Sequence, residues 1–65
     1  MKISKQKLEI AKARNCMTTE TLSKKAKVSV LAITRVGNSN YETQPATVGK
    51  LAKALGVDVT DLLED

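Results

Sequence analysis

The sequence has no histidine, phenylalanine or tryptophan, and its one cysteine is Cys16. A lone cysteine cannot form an internal disulfide. Without histidine the chain has neither a Cys/His zinc-ligand set nor a Ser-His or Cys-His catalytic couple. We therefore expect no enzymatic activity, no metal and no cofactor, and we expect Cys16 to be a loop thiol.

Long apolar runs are also missing. The longest strictly apolar run is VLAI, and the N-terminal stretch MKISKQKLEIAK is interrupted by lysines. A membrane helix needs roughly 20 apolar residues and a signal peptide needs a continuous apolar region. We therefore expect a soluble cytoplasmic protein with no membrane partner, in which residues 1–65 form one domain with a modest core.

The charges are distributed unevenly along the chain. Residues 1–38 carry nine Lys/Arg and two Glu, a net charge of +7, whereas residues 39–65 carry two Lys and five Asp/Glu, a net charge of −3. A basic first part and an acidic end suggest a polyanionic partner for the first part. The alternative is that the charges only keep a small domain soluble.

The composition favours helices, because alanine, leucine, lysine and glutamate dominate and no stretch alternates with period two. The sequence predicts an all-α domain, a compact five-helix bundle. The first helix covers 4–14, the second ends near Lys27, and the third covers 30–36. The fourth begins near Pro45 and is closed by Gly56, and the last is a short helix carrying Leu62 and Leu63.

Capping residues support these boundaries. Thr18 and Ser29 precede the second and third helices as N-caps, and Thr43 or Gln44 precedes the fourth. Asp58, with Asp61 three residues later, resembles a capping box for the last helix. The apolar periodicity predicts these inward-facing residues: Leu8, Ala11, Leu22, Ala26, Ile33, Val36, Val48, Leu51, Ala52 and Leu55.

The third helix is apolar on more than one side. Ile33 and Val36 define its inward direction, so Leu31 lies on the opposite side. Thr34, Arg35 and Asn38 also face outward, and Val30 lies at the exposed N-terminal end. In a helix that reads DNA, Val30 and Leu31 would contact thymine methyl groups in the major groove. Alternatively, Leu31 is a tolerated surface leucine or part of a protein interface.

The second and third helices are separated by only about three residues, which is typical of a helix-turn-helix. With this pair and the closing segment VGKLAKALGVDVTDLL, residues 8–63 resemble the phage Cro/repressor class of regulators, also called the Xre type, with a lambda-repressor-like fold. TTETLSKKAKVSVLAITRV covers the helix-turn-helix, and Leu8, Ala11, Met17, Leu22, Ala26, Val28, Ile33 and Val36 fall at the family's buried positions.

The chain departs from the family pattern at three places. Thr19 stands where the family usually has a glutamine that opens the second helix. Lys27 replaces the turn glycine, and a left-handed backbone there would cost a residue with a Cβ about 1 kcal/mol or more. Gly37 and Ser39 replace the usual Glu and Gly after the third helix. The small residue of the second helix is kept as Ser23.

The resemblance implies a sequence-specific DNA-binding transcriptional regulator, most simply a repressor, that acts in the cytoplasm or nucleoid of a prokaryote or phage host. The implied DNA-facing residues are Thr18, Thr19, Ser29, Val30, Leu31, Thr34, Arg35 and Asn38. Thr18 and Thr19 suit a phosphate, and Arg35 suits either a phosphate or a guanine. Residues 38–40 form either a second phosphate site or a plain turn.

The implied partner is double-stranded DNA with a pseudo-palindromic operator, bound by a homodimer, without a small-molecule ligand. Candidate dimer contacts are Val57, Val59, Leu63 and Ile10. The alternative function is a protein-interaction module of the same fold, an antirepressor or antitoxin that contacts another regulator through Val30 and Leu31.

Overall fold

The structure, a computed structural model, describes residues 1–38 and 41–64. These residues form four α-helices and one short 3₁₀ helix, and no extended strand occurs among them. The all-α class is therefore confirmed. In chain order the helices are α1 (Lys5–Arg14), α2 (Thr19–Ala26), α3 (Val30–Val36), α4 (Pro45–Leu55) and the 3₁₀ helix (Val59–Asp61).

The chain end differs from the predicted fifth α-helix. The predicted capping box is present, because the Asp61 carboxylate accepts from the Asp58 amide and the Asp58 carboxylate accepts from the Thr60 amide, but it opens only one 3₁₀ turn. Leu62 follows that turn and is fully buried. Leu63 forms an isolated antiparallel bridge with Ile3. The prediction of a helix through Leu62 and Leu63 was wrong, because the backbone there pairs with the N-terminal segment.

Local capping sets the helix starts. The Thr18 hydroxyl accepts from the amide of Thr21 at 3.1 Å, and the Ser29 hydroxyl accepts from the amide of Ala32 at 3.1 Å. Both predicted N-caps are confirmed, since each satisfies an amide that the first turn leaves without a partner. The fourth helix has Gln44 as N-cap without a side-chain bond, and Pro45 occupies its first turn.

The core lies around α4, which packs against α2 and the 3₁₀ helix. All ten residues that the periodicity predicted to face inward are buried, and the core also includes Ile3, Ala54 and Leu62. Met17 and Val28, which fall at the family's buried positions, are only partly buried. Thr43 is a buried polar residue whose hydroxyl has no hydrogen-bond partner among the described residues. None of the helices described in the structure is long and apolar enough to cross a membrane.

The N-terminal segment joins two distant parts of the chain. The Ser4 amide donates to the Leu62 carbonyl at 2.8 Å, and the Glu64 amide donates to the Lys2 carbonyl at 3.0 Å. On the other side, the Met1 ammonium lies 2.7 Å from a carboxylate oxygen of Glu42. This segment fixes the chain end on the core, an arrangement that local sequence patterns do not predict.

The turn between α2 and α3 consists of residues 27–29. Lys27 adopts the left-handed conformation, with φ 58° and ψ 40°. Its amide and the amide of Val28 both donate to the Ser23 carbonyl, and the Ser23 hydroxyl donates to the Val28 carbonyl. Both backbone bonds end on one carbonyl near the end of α2, and the bond from Val28 is the outer bond of a Schellman motif. They set the direction in which α3 begins.

Candidate nucleic-acid interface

The third helix, α3, has one buried and one exposed face. Ile33 and Val36 are buried, and Ile33 retains only 3% of its accessible surface. On the opposite side Leu31 is 60% exposed, and Val30 at the N-terminal end is 43% exposed. The 3.6-residue period thus places two large apolar side chains in solvent at the start of the helix, as the sequence predicted.

Polar side chains surround this apolar pair. Ser29, Thr34, Arg35 and Asn38 are all exposed. The Thr34 hydroxyl donates to the Val30 carbonyl at 3.0 Å, so its oxygen can only accept from an external ligand. The Ser29 hydroxyl accepts the capping bond and keeps its proton for donation. The Arg35 guanidinium forms no hydrogen bond or ion pair with any described residue, so all its donors remain available.

The start of α2 adds two hydroxyl groups and a positive charge. Thr18 is exposed, and its hydroxyl also lies 3.1 Å from that of Thr21. Thr19 is half-buried, and its oxygen accepts from the Lys12 ammonium at 3.1 Å. That ammonium also pairs with Glu9 at 3.2 Å. Sequence reasoning missed Lys12, because its contact with Thr19 bridges two helices and no local spacing indicates it.

The start of α2 carries charged groups of both signs. Glu20 lies in the first turn, where its carboxylate interacts favourably with the positive end of the helix dipole. The same carboxylate would repel a phosphate, so the helix end alone is a weak anion site. The Lys12 charge is likewise balanced by Glu9, so the threonine hydroxyls are the donors at this end that a phosphate could use without breaking an ion pair.

The predicted residues fall in two groups. Ser29, Val30, Leu31, Thr34 and Arg35 lie on α3 or at its cap, and Asn38 follows it. Thr18 and Thr19 lie at the start of α2, which packs against α3.

In the segment after α3, the Asn38 amide donates to the Arg35 carbonyl at 2.9 Å, and the Asn38 carbonyl accepts from the Tyr41 amide at 3.1 Å. Ser39 and Asn40, predicted as part of a second phosphate site, lie outside the described residues.

Comparisons with known proteins were made by sequence and by structure. No family model, curated protein or solved structure matches this chain.

The exposed surface of α3 offers groups that can bind a ligand. It combines apolar contact through Val30 and Leu31 with hydrogen bonding through Ser29, Thr34 and Arg35. Within residues 1–38 and 41–64, no group of three or more Cys, Asp or Glu side chains is placed to hold a metal ion. Cys16 is an exposed thiol in the turn between α1 and α2.

Proposed function

We propose that this chain is a sequence-specific DNA-binding transcriptional repressor of the helix-turn-helix type, which places α3 in the major groove. The observation that carries the proposal is the exposed face of α3, where Val30 and Leu31 are exposed to solvent and the Arg35 guanidinium has no partner within residues 1–38 and 41–64. Short helices that read DNA present their N-terminal residues to base edges in this way.

Each group on this face has a matching partner on a duplex. Leu31 and Val30 match the thymine methyl group, which lies at the edge of the major groove. Thr34 has only acceptor capacity left, so it matches the amino groups of adenine or cytosine. Arg35 matches either guanine or a phosphate oxygen, and the salt dependence of binding separates these two roles.

Phosphate contacts would set the position of α3 on the duplex. The hydroxyls of Thr18 and Thr19 at the start of α2 suit one phosphate, and Lys12 beside Thr19 would join them by exchanging its Glu9 partner for the phosphate. The Ser29 hydroxyl lies at the N-terminal end of α3 and Asn38 follows its C-terminal end, so they flank its exposed face. Such contacts carry little sequence information but hold the reading helix in register.

The dimensions of the chain favour a dimer. The molecule measures 25 × 20 × 17 Å, less than the roughly 34 Å that separates successive major-groove half-sites on one side of a duplex. A pseudo-palindromic operator therefore needs two copies. Of the candidate dimer contacts, Val57, Val59 and Leu63 pack against the chain's own core, whereas Ile10 is 46% exposed. Ile10 is the most accessible candidate.

Fluorescence anisotropy tests the proposal. The full chain is titrated into a labelled duplex from upstream of its own gene and into a scrambled duplex, each at low and near-physiological salt. We expect tight binding to the first and weak, strongly salt-dependent binding to the second. Leu31→Ala should relax sequence preference and weaken binding to the specific duplex by about 1–3 kcal/mol. It should change the free energy of unfolding little, because Leu31 is exposed.

Arg35→Ala has a matched control in Lys2→Ala, which removes an exposed charge outside this face. If Arg35 binds a phosphate, its loss weakens binding to both duplexes and lowers the salt slope by about one. If it reads guanine, the loss falls on the specific duplex. Equal effects of Arg35→Ala and Lys2→Ala would contradict a role for Arg35 in DNA binding.

The second candidate is a protein-interaction module, which the two adjacent exposed apolar residues, Val30 and Leu31, also favour. It predicts no sequence preference, even after selection from random duplexes. Binding to a partner regulator would then be abolished by Leu31→Asp and would show weak salt dependence.

A further inference from the structure

A groove lies between α4 and the C-terminal end of α2, and it includes Lys27 in the turn that leads to α3. Its volume is about 410 Å³, and it is lined by Lys25, Ala26, Lys27, Lys50, Lys53 and Ala54. Ala26 and Ala54 are almost fully buried, with 6% and 7% of their surface exposed. These small side chains form an apolar floor, and the four lysines surround it. We call this the basic groove.

The lysines of the basic groove have no partners within the described part of the chain. All four are exposed, and none forms an ion pair or a hydrogen bond through its ammonium there. No acidic residue lines the groove. The helix dipoles account for Lys25 and Lys53, which lie in the last turns of α2 and α4. Lys50 lies further back along α4, so the dipoles do not explain the whole cluster, whose like charges repel each other.

The backbone conformation of Lys27 is a second sign that the groove has a function. Lys27 is one of two non-glycine residues with positive φ among those described, and glycine or asparagine usually occupies this position after a helix. A Cβ makes the left-handed conformation unfavourable. Lysine at this strained position places an ammonium group at the edge of the groove, which glycine would not supply. Strain of this kind concentrates at functional positions.

We propose that the basic groove binds an acidic, amphipathic segment of a partner protein. Its carboxylates would pair with Lys25, Lys27, Lys50 and Lys53, and one of its apolar side chains would lie on Ala26 and Ala54. Charge complementarity and the apolar floor support this choice of occupant. The proposal goes beyond DNA binding and does not depend on it.

Shape argues against DNA as the occupant. The space between two packed helices, typically about 8–10 Å apart, is too narrow for a duplex, whose major groove alone is about 12 Å wide, so DNA could present only its phosphates to the lysines at the edge. Phosphates match the lysines but not the apolar floor, whereas an amphipathic acidic peptide matches both. None of the groove residues belongs to α3 or to the predicted DNA-facing set.

The first measurement is an NMR titration of the full, isotope-labelled chain with a synthetic peptide in which leucines at helical spacing alternate with glutamates. The control peptide has lysine in place of every glutamate. We expect chemical-shift changes concentrated at residues 25–27 and 50–54 with the acidic peptide only. Changes concentrated at residues 18–19 and 29–38, or spread evenly over the surface, would overturn the proposal.

The second measurement is the dissociation constant of the fluorescein-labelled acidic peptide for matched charge variants. The double variant Lys25→Gln/Lys53→Gln should weaken binding about tenfold. The control, Lys2→Gln/Lys5→Gln, removes the same charge from exposed residues outside the groove and should change binding less than about twofold. Equal losses in the two variants would show attraction to net charge alone and would refute a defined site.

Two further outcomes identify a different occupant. If Lys25→Gln/Lys53→Gln weakens specific duplex binding as strongly as peptide binding, and the two ligands compete, the groove belongs to the DNA surface. If sedimentation shows that this variant dissociates a dimer, the occupant is a second copy of the chain. Either result refutes the partner-segment proposal. The proposed DNA-binding function fails separately, by loss of sequence preference in the anisotropy titration.

Discussion

Replacing Lys27 with glycine should stabilise the protein. Lys27 has φ 58° and ψ 40°, a conformation that costs a residue with a Cβ about 1–2 kcal/mol. Glycine removes this strain but loses about 0.4–1 kcal/mol through the greater freedom of the unfolded chain. At the midpoints of these ranges the net gain in the free energy of unfolding is about 0.8 kcal/mol, and the extremes are about 0 and 1.6 kcal/mol. For a domain of this size the midpoint corresponds to a rise in Tm of about 3–6 °C.

Urea and thermal unfolding, followed by far-UV circular dichroism, measure this change. Lys27→Ala is the matched control, because it removes the same charge but keeps the Cβ and therefore the strain. Lys25→Gly is a second control, since Lys25 lies in the last turn of α2 and glycine there should cost up to about 1 kcal/mol. If Lys27→Gly is no more stable than Lys27→Ala, the left-handed turn does not store the strain inferred from its geometry.

Stability should also respond at other positions. Gly49 lies inside α4, where an added Cβ meets no atom within 4 Å, so Gly49→Ala should raise the free energy of unfolding by about 0.5–1 kcal/mol. Gly56 has φ 69°, so Gly56→Ala should lower it by about 1 kcal/mol or more. Unfolding midpoints that shift in the same direction for both variants would contradict this. The side-chain amide of Asn15 donates to carbonyls of α1 and α4 at 2.9 and 2.8 Å, so Asn15→Ala should lower the free energy of unfolding in urea by about 1–2 kcal/mol. An unchanged urea midpoint would show that neither bond contributes to stability. The Met1 ammonium, through a hydrogen bond and its charge, lowers the pKa of Glu42 from its usual 4.5. The folded pKa is the lower one, so this stabilisation is present above about pH 4.5 and is lost as pH falls through the folded pKa. The Tm difference between the wild type and Glu42→Gln should shrink over that range, and a constant difference would refute the contribution.

The sequence predicted the helix boundaries well because local interactions determine them. Thr18 and Ser29 cap the amides within three residues of themselves, so their role is visible in the sequence alone. The buried and exposed faces of α3 follow from its period for the same reason. Ile33 and Leu31 lie two residues apart on nearly opposite sides of the helix.

What the sequence did not predict depends on contacts between distant parts of the chain. The bridge between Ile3 and Leu63 joins the two ends and replaces the expected fifth helix with one 3₁₀ turn. The contact between Lys12 and Thr19 crosses from α1 to α2. The basic groove brings together residues more than twenty positions apart, so no motif in the sequence could reveal it.

The α3 helix has a buried face and an exposed face within one turn, so mutations can separate its contribution to stability from the proposed DNA recognition. It has only seven residues, too few to be stable alone, so its form depends on Ile33, Val36 and its cap. Ile33→Ala should cost about 2–5 kcal/mol. A domain of this size has a total stability of order 3–10 kcal/mol, so this change can unfold a large share of the molecules. Leu31→Ala should leave the unfolding midpoint nearly unchanged and reduce only recognition. A loss of stability with Leu31→Ala close to that with Ile33→Ala would mean that the exposed face of α3 is a structural surface, and the case for DNA reading would then fail.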